Sequence, residues 1–185
     1  MLPVLVLGVG NILLKDEGVG VHAVRELTAR AERGGSPRRH DVELYDGGTF
    51  GIDLLDTIAN RRKVIVIDAV RPVLRSSGAA AAKGGADAAP GTVLRFTAAD
   101  LVRPGRPDLS LHQVGLFETL AMARQLGCAP EEVVIFGVVP MALEPGLELS
   151  PEVAAVVPRV IDLVLAELKN NPGTGGQGAE GKEGR

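Results

Sequence analysis

Residues 4–20 read VLVLGVGNILLKDEGVG, and this stretch decides the fold. It begins with a continuous run of Val and Leu, which is typical of a parallel strand covered on both faces. Glycines and an asparagine then break the run. A helix is predicted from about residue 17 to residue 32, with Asp16 as its N-cap. A buried strand that turns sharply into a helix is a typical opening unit of an α/β protein.

The alternation of strands and helices continues along the chain. Buried or edge strands are predicted at residues 42–45, 64–68, 92–96 and 133–139, the third of them at an edge of the sheet. A short helix is predicted at residues 50–59. Strands that alternate with helices imply a single three-layer α/β domain with a mostly parallel sheet and helices on both faces.

Two further helices carry clear end signals. Ser110 and Gln113 form an S-x-x-Q capping box, and Gly127 marks the end of the helix that they open. Ser150 is the predicted N-cap of the last helix, with Pro151 in its first turn and a kink expected at Pro158.

Two segments are not expected to belong to the folded core. Residues 72–91 are rich in Gly, Ala and Ser without periodicity, which predicts a flexible surface loop. Residues 170–185 form a polar, Gly-rich tail that we expect to be disordered. The domain is therefore predicted to span residues 1–169.

Composition limits the classes of function. The chain has 185 residues with 20 basic and 23 acidic side chains, so its near-balanced charge of −3 argues against a nucleic-acid partner. Its single cysteine, Cys128, can form no intrachain disulfide and fits a reducing compartment. The apolar residues 1–14 lack a basic start and are shorter than the ~20 residues that span a bilayer. We therefore expect a cytoplasmic protein with no membrane partner.

Acidic residues follow the first three predicted strands. Asp16 and Glu17 come after the first strand, Asp46 ends the second and Asp68 ends the third. Because sites in open parallel sheets lie beyond the carboxyl ends of the strands, these side chains are expected at one edge of the sheet. A helix cap explains Asp16 and a turn explains Asp46. Asp68 closes an apolar strand without such a role, and a buried carboxylate needs a partner.

His112 is the candidate partner of these carboxylates. It lies in the first turn of its predicted helix, where the helix dipole disfavours the imidazolium and leaves the neutral ring that binds metals. Glu17, Asp68 and His112 together would form a three-ligand site with open positions, compatible with Ni, Zn, Fe or Mn. His22 and His40 are weaker candidates, because the first lies well round its helix from Glu17 and the second precedes a strand at the opposite edge.

Other chemistries fit the residues less well. The glycines at the end of the first strand lack the third glycine of a dinucleotide-binding fingerprint, since position 13 is Leu. No G-x-S-x-G occurs. Cys128 is predicted at the end of its helix away from His112, which argues against a Cys-His nucleophile. A nucleotide- or metal-binding α/β module without enzymatic activity stays open as the alternative.

Five sequence blocks together resemble the hydrogenase maturation proteases. The first, GVGNILLKDEGVGVHAVREL, resembles that family's G-x-G-N-x-L-x-x-D-[DE]-G-x-G signature. The others follow in the family's order up to about residue 168: DGGTFGIDLL at 46–55, VIVIDAV at 64–70, SLHQVGL at 110–116 and VVIFGVVPMALEPGLELSPEV at 133–153. The long loop and the Gly-rich tail depart from the family without touching a block.

The resemblance implies a fold, an activity and a site. The fold is a twisted, five-stranded, mostly parallel sheet with one antiparallel edge strand. The activity is that of an endopeptidase, often classed as aspartic-type, that removes a short C-terminal peptide from the nickel-loaded precursor of a [NiFe] hydrogenase large subunit. Glu17, Asp68 and His112 match the family's nickel-binding positions. The precursor brings the nickel, and the resting enzyme, expected to be a monomer, can be metal-free. Asp68 is the favoured catalytic base, followed by Asp46 and Asp16.

Overall fold

The computed structural model describes residues 4–34, 41–49, 52–71, 88–97, 100 and 111–170. In chain order the elements are β1 (Val4–Val9), a 3₁₀ turn (Lys15–Gly18), α1 (Val19–Glu32), β2 (Val42–Gly48), a 3₁₀ turn (Ile52–Leu54), α2 (Leu55–Ile58), β3 (Lys63–Ala69), β4 (Val93–Thr97), α3 (Leu111–Gln125), β5 (Glu132–Val138), α4 (Pro151–Ala154) and α5 (Val157–Lys169).

The sheet has five strands in the order β2-β1-β3-β5-β4. The first four are parallel, and β4 pairs antiparallel with β5 at one edge. This arrangement confirms the predicted fold class, including the antiparallel edge strand. After β1 the chain moves outward to β2 and then crosses back to β3 on the other side of β1. The topological switch point, where such sheets place their ligands, therefore lies between β1 and β3.

Helices cover both faces of the sheet. One face packs against α1 and α5 around Val6, Ile67 and Phe136. The other face packs around Leu7, Val66 and Ile135, and Leu54, Ile58, Leu116 and Leu120 from the α2 and α3 regions cover it. Neighbouring residues of a strand face opposite sides. Such double burial explains why β1 and β3 read as unbroken apolar runs rather than alternating ones.

A buried ion cluster joins the amino end of β3 to α5. The ammonium of Lys63, which is only 3% exposed, lies 2.6 Å from Glu167 and 3.0 Å from Glu132. Arg95 of β4 reaches the other oxygen of Glu167 at 3.1 Å. A buried charge is tolerated when it is paired, so these contacts compensate for the burial of Lys63.

The predicted N-cap role of Asp16 is wrong. The helix begins at Val19 after the 3₁₀ turn, and its N-cap, Gly18, makes no side-chain capping bond. Asp16 sits before the helix and binds residues 141, 142 and 150 instead. Its side chain therefore faces a distant segment, not the first turn of α1.

The other helix ends differ less from the prediction. Ser150 is confirmed as an N-cap, since its Oγ accepts a hydrogen bond from the Val153 amide. The expected kink is a full break that separates α4 from α5, with Pro158 in the first turn of α5. Gly127 ends the α3 region with a φ of 70°.

Several predicted features lie outside the described residues. They are the greater part of the loop at 72–91, Ser110 of the capping box, His40 and the tail 171–185. Within the described part, none of the helices combines the length and the apolar character that crossing a bilayer requires.

Candidate active site

The candidate site lies at the carboxyl edge of the sheet, on either side of the switch point. The β1–α1 connection delivers Asp16 and Glu17 there, and β3 delivers Asp68 next to its last residue. β1 and β3 are direct neighbours in the sheet. Two carboxylate-bearing segments, about 50 residues apart in the chain, therefore meet at the place that the topology favours for binding.

Asp68 is buried, with 2% of its surface exposed. One carboxylate oxygen, Oδ1, accepts a hydrogen bond from the Ala69 amide at 2.8 Å. The side chain shares the face of Val64 and Val66, which is the face that α3 covers. Its register partner on β5 is Gly137, where an added Cβ would lie 2.5 Å from the side chain of Val70. The missing side chain at Gly137 leaves room for Val70 beside Asp68.

Glu17 is half-buried in the 3₁₀ turn that follows β1. Gly10 permits the turn to lie close to the strand, because its φ is 136° and an added Cβ would lie 1.8 Å from the Glu17 carbonyl oxygen. Only glycine accepts both the positive φ and this approach. The glycines of the first sequence block thus fix where Glu17 stands relative to β1.

His112 lies in the first turn of α3, and its side chain is outside the described part of the structure. The far end of α3 is tied to the amino edge of β3, since the Asn60 amide donates to the Cys128 carbonyl at 2.7 Å. From there α3 runs along the face of the sheet that bears Asp68, where its Leu116 and Leu120 pack. The approach of His112 to Glu17 and Asp68 stays a prediction.

The side chains that the structure describes contain no cluster of three or more His, Cys, Asp or Glu that could hold an ion. The side chain of His112 is not among them, so the trio of Glu17, Asp68 and His112 stays a prediction. His22 lines a cleft with Arg25 and Leu149, on the α1 side of the sheet opposite to Asp68. His22 and Asp68 therefore lie on opposite faces of the sheet.

Asp16 is fully buried and joins two loops at this edge. Its Oδ2 accepts hydrogen bonds from the amides of Met141 and Ala142, at 2.9 and 2.8 Å, and from the hydroxyl of Ser150 at 2.8 Å. Its Oδ1 accepts from the Ser150 amide at 2.6 Å. Burial alone raises the pKa of Asp16, but these hydrogen bonds outweigh it and hold the pKa below 3.8. The carboxylate is therefore ionised and surrounded by donors.

Asp46 has a different environment, at the exposed end of β2. Its Oδ2 pairs with the guanidinium of Arg25 at 2.9 Å, and its Oδ1 accepts from the Gly48 amide at 3.1 Å. The turn predicted to begin at Asp46 is wrong, because β2 continues through Gly48, with a bulge at residue 47 that the contact between Asp46 and the Gly48 amide spans. Asp46 is thus an exposed, paired carboxylate.

Sequence reasoning missed the importance of residues 139–150. This segment supplies all four hydrogen bonds to Asp16, and its Gly146 exchanges backbone bonds with Leu13 and Lys15 at 2.9 Å each. Beyond its place in the fifth sequence block, its local signal is the spacing of Pro140 and Pro145, with Pro151 just after it, which predicts an extended loop.

Comparison with known proteins decides the family. The family model described as hydrogenase maturation protease matches residues 21–76 and 81–167. The chain belongs to the hydrogenase maturation protease family. Hydrogenase 2 maturation protease from Escherichia coli strain K12 is 36% identical over 168 residues, which cover 91% of this chain and 92% of that protein. The resemblance carried by the five sequence blocks is confirmed.

Solved structures of maturation proteases share the fold. The hydrogenase maturating endopeptidase HybD from Escherichia coli superposes with a TM-score of 0.72 at 35% identity, covering 91% of this chain and 93% of that one. The [NiFe] hydrogenase maturation protease HybD from Thermococcus kodakarensis gives a TM-score of 0.61 at 27% identity, covering 90% and 99%. The protein is accordingly an endopeptidase, a hydrolase of peptide bonds that serves hydrogenase maturation.

Proposed function

We propose that this maturation protease removes a short C-terminal peptide from the nickel-loaded precursor of a [NiFe] hydrogenase large subunit, and that it recognises the precursor by its nickel. Membership of the family supports the reaction class. One observation carries the proposed recognition: Glu17 and Asp68 stand on adjacent segments at the switch point of the sheet, with α3 covering the same face as Asp68. Carboxylate oxygens and an imidazole suit a divalent transition metal.

The nickel arrives as part of the substrate. An ion held by thiolates of the precursor keeps open coordination positions, and Glu17, Asp68 and His112 would occupy them. This contact would fix the scissile bond against the enzyme, which supplies the orientation that a slow hydrolysis requires. A precursor without nickel lacks the contact and is left intact, so binding discriminates between the two forms.

Asp68 is the proposed general base. A carboxylate oxygen of Asp68 would take a proton from water as the water attacks the scissile carbonyl, and the proton would later pass to the leaving amine. The two other acidic candidates are less suitable. Asp16 is enclosed by four hydrogen bonds, and Asp46 is exposed and paired with Arg25. The nickel can assist in the same step by polarising the carbonyl.

We also propose that the enzyme works as a cytoplasmic monomer without nickel of its own. Its one cysteine fits a reducing compartment. A site with one nitrogen ligand and two carboxylates holds a transition metal weakly compared with thiolate sites. Metal analysis of the purified protein tests this, and stoichiometric nickel before contact with precursor would contradict it.

His112→Ala provides the direct test of recognition. Wild-type enzyme is incubated with nickel-loaded and nickel-free precursor, and the mass of the precursor is followed. We expect loss of a C-terminal peptide from the loaded form alone, and no processing by His112→Ala. His22→Ala is the matched control, because this second histidine lies on α1 away from Asp68, and it should process normally. Equal cleavage of both precursors, or normal cleavage by His112→Ala, contradicts the proposal.

A further inference from the structure

We propose that Asp16 is a positioning residue for Glu17, through a carboxylate clamp that fastens residues 139–150 to the β1–α1 loop. The clamp consists of the four hydrogen bonds that Asp16 accepts from Met141, Ala142 and Ser150. This inference rests on the proposed function, because it gives Asp16 a role in presenting a residue of that site.

The clamp requires a carboxylate and not only a side chain of this size. Three donors converge on Oδ2 and a fourth points at Oδ1, so each oxygen must accept. In the Asp16→Asn variant an amide group would replace one oxygen. It would place two N–H groups against either the Ser150 amide or the donors at Oδ2, and buried donors that face donors lose their partners.

Backbone hydrogen bonds also join the β1–α1 loop to residues 139–150. The Asp16 amide donates to the Ala142 carbonyl at 3.2 Å, and the Lys15 amide donates to Gly146 at 2.9 Å. The Gly146 amide returns a bond to the Leu13 carbonyl at 2.9 Å. Lys15 also adopts a φ of 44°, and its ammonium pairs with Glu144. A positive φ at a lysine is costly, which shows that the surrounding contacts impose this conformation.

Glu17 is the next residue and has little freedom to move independently. Its amide donates to the Leu14 carbonyl at 3.1 Å, and its carbonyl oxygen occupies the space beside Gly10. The 3₁₀ turn is thus held by β1 on one side and by the clamp on the other. Release of the clamp would leave the turn held to residues 139–150 without the four hydrogen bonds of the Asp16 carboxylate, and a displacement of Glu17 by about 1 Å can cost about 100-fold in rate.

A double-mutant cycle between Asp16→Asn and Glu17→Gln tests the inference. Cleavage of nickel-loaded precursor is measured under single-turnover conditions, at a temperature where circular dichroism shows each variant folded. Asp16→Asn should lower kcat/KM by about 10–100-fold in the wild-type background and by much less in the Glu17→Gln background, because coupled residues are not additive. Asp162→Asn, the same change at an exposed site on α5, should leave cleavage unaltered.

A second measurement and a second variant cover the cases in which a variant is inactive or unfolded. If Glu17→Gln cleaves below detection, the cycle is run on the Kd for nickel-loaded precursor. If Asp16→Asn does not fold, Ser150→Ala replaces it, since it removes one of the four bonds, and Ser150→Thr should restore the lost activity.

The results distinguish failure of this inference from failure of the proposed function. Equal losses from Asp16→Asn in both backgrounds, or normal cleavage by folded Asp16→Asn, overturn the inference and leave the proposed function standing. A Glu17→Gln variant with wild-type cleavage overturns it as well, since no role for Glu17 would remain. Failure of the wild-type enzyme to process loaded precursor would instead refute the proposed function.

Discussion

Ser150→Ala gives a quantitative measure of the clamp. The Ser150 hydroxyl donates to Asp16 Oδ2 at 2.8 Å and accepts from the Val153 amide at 3.4 Å. A hydrogen bond to a charged group contributes about 1.5–3 kcal/mol. The capping bond is long, so it belongs at the lower end of the capping range, about 0.5 kcal/mol. Their loss should lower the free energy of unfolding by about 2–3.5 kcal/mol.

Urea titration followed by circular dichroism measures this change, and Tm should fall by about 4–14 °C for a domain of this size. Ser150→Thr keeps both contacts and should stay near wild type. Thr28→Ala is the matched control, because it also removes a hydroxyl, one that donates only to the Val24 carbonyl within α1 at 3.0 Å. Such a bond has little net value in a helix. A Ser150→Ala variant within about 0.5 kcal/mol of wild type, the usual scatter of surface substitutions, would refute the reasoning.

Three further predictions address packing, pH and the tail. Gly20→Ala places a Cβ 2.0 Å from the Ile67 carbonyl oxygen and should lower the free energy of unfolding by about 3 kcal/mol or more. Gly34→Ala is the control, because its Cβ would meet nothing within 4 Å and should show only the cost of the positive φ, about 1–2 kcal/mol. Similar losses for the two variants in urea titration would contradict the clash at Gly20. Asp16 and Glu167 have pKa values below their ordinary 3.8 and 4.5, so their stabilisation is complete above those values and is lost as pH falls through the folded-state pKa values. Urea midpoints between about pH 6 and pH 3 should show this loss, with a shallower dependence in Ser150→Ala; a midpoint that rises toward acid would show the sign to be wrong. Deletion of residues 171–185 should leave the rate of precursor cleavage unchanged, and a large loss would mean that the tail binds the substrate.

Much of the sheet was predictable because its signals are local. Strands buried on both faces must be apolar throughout, so the composition of residues 64–68 is enough to predict β3. The same holds for Ser150 and Pro151, whose capping role depends only on the following turn. The rule that places sites at the carboxyl edge likewise located Glu17 and Asp68 before their neighbours were known.

The role of Asp16 could not be predicted in this way. Its partners lie 125 to 134 residues further along the chain, and no local pattern connects them. Local rules predict that an Asp ahead of a helix is its N-cap, but the Asp16 carboxylate accepts hydrogen bonds from donors far along the chain instead. The predicted meeting of Glu17 and Asp68 with His112 depends on side-chain geometry in the same manner, so sequence spacing alone does not determine it.

The ion cluster around Lys63 has a consequence for synthesis of the chain. Lys63 is the first residue of β3, the central strand of the sheet, but Glu167, its nearer partner, is translated 104 residues later. Until α5 has left the ribosome, the ammonium at the start of β3 lacks this nearer counter-charge, so Glu132 is left to compensate its burial. The ion cluster at the start of β3 is therefore completed only when α5 packs onto the sheet. A chain built in this way finishes the charge pairing of its central strand late in its synthesis.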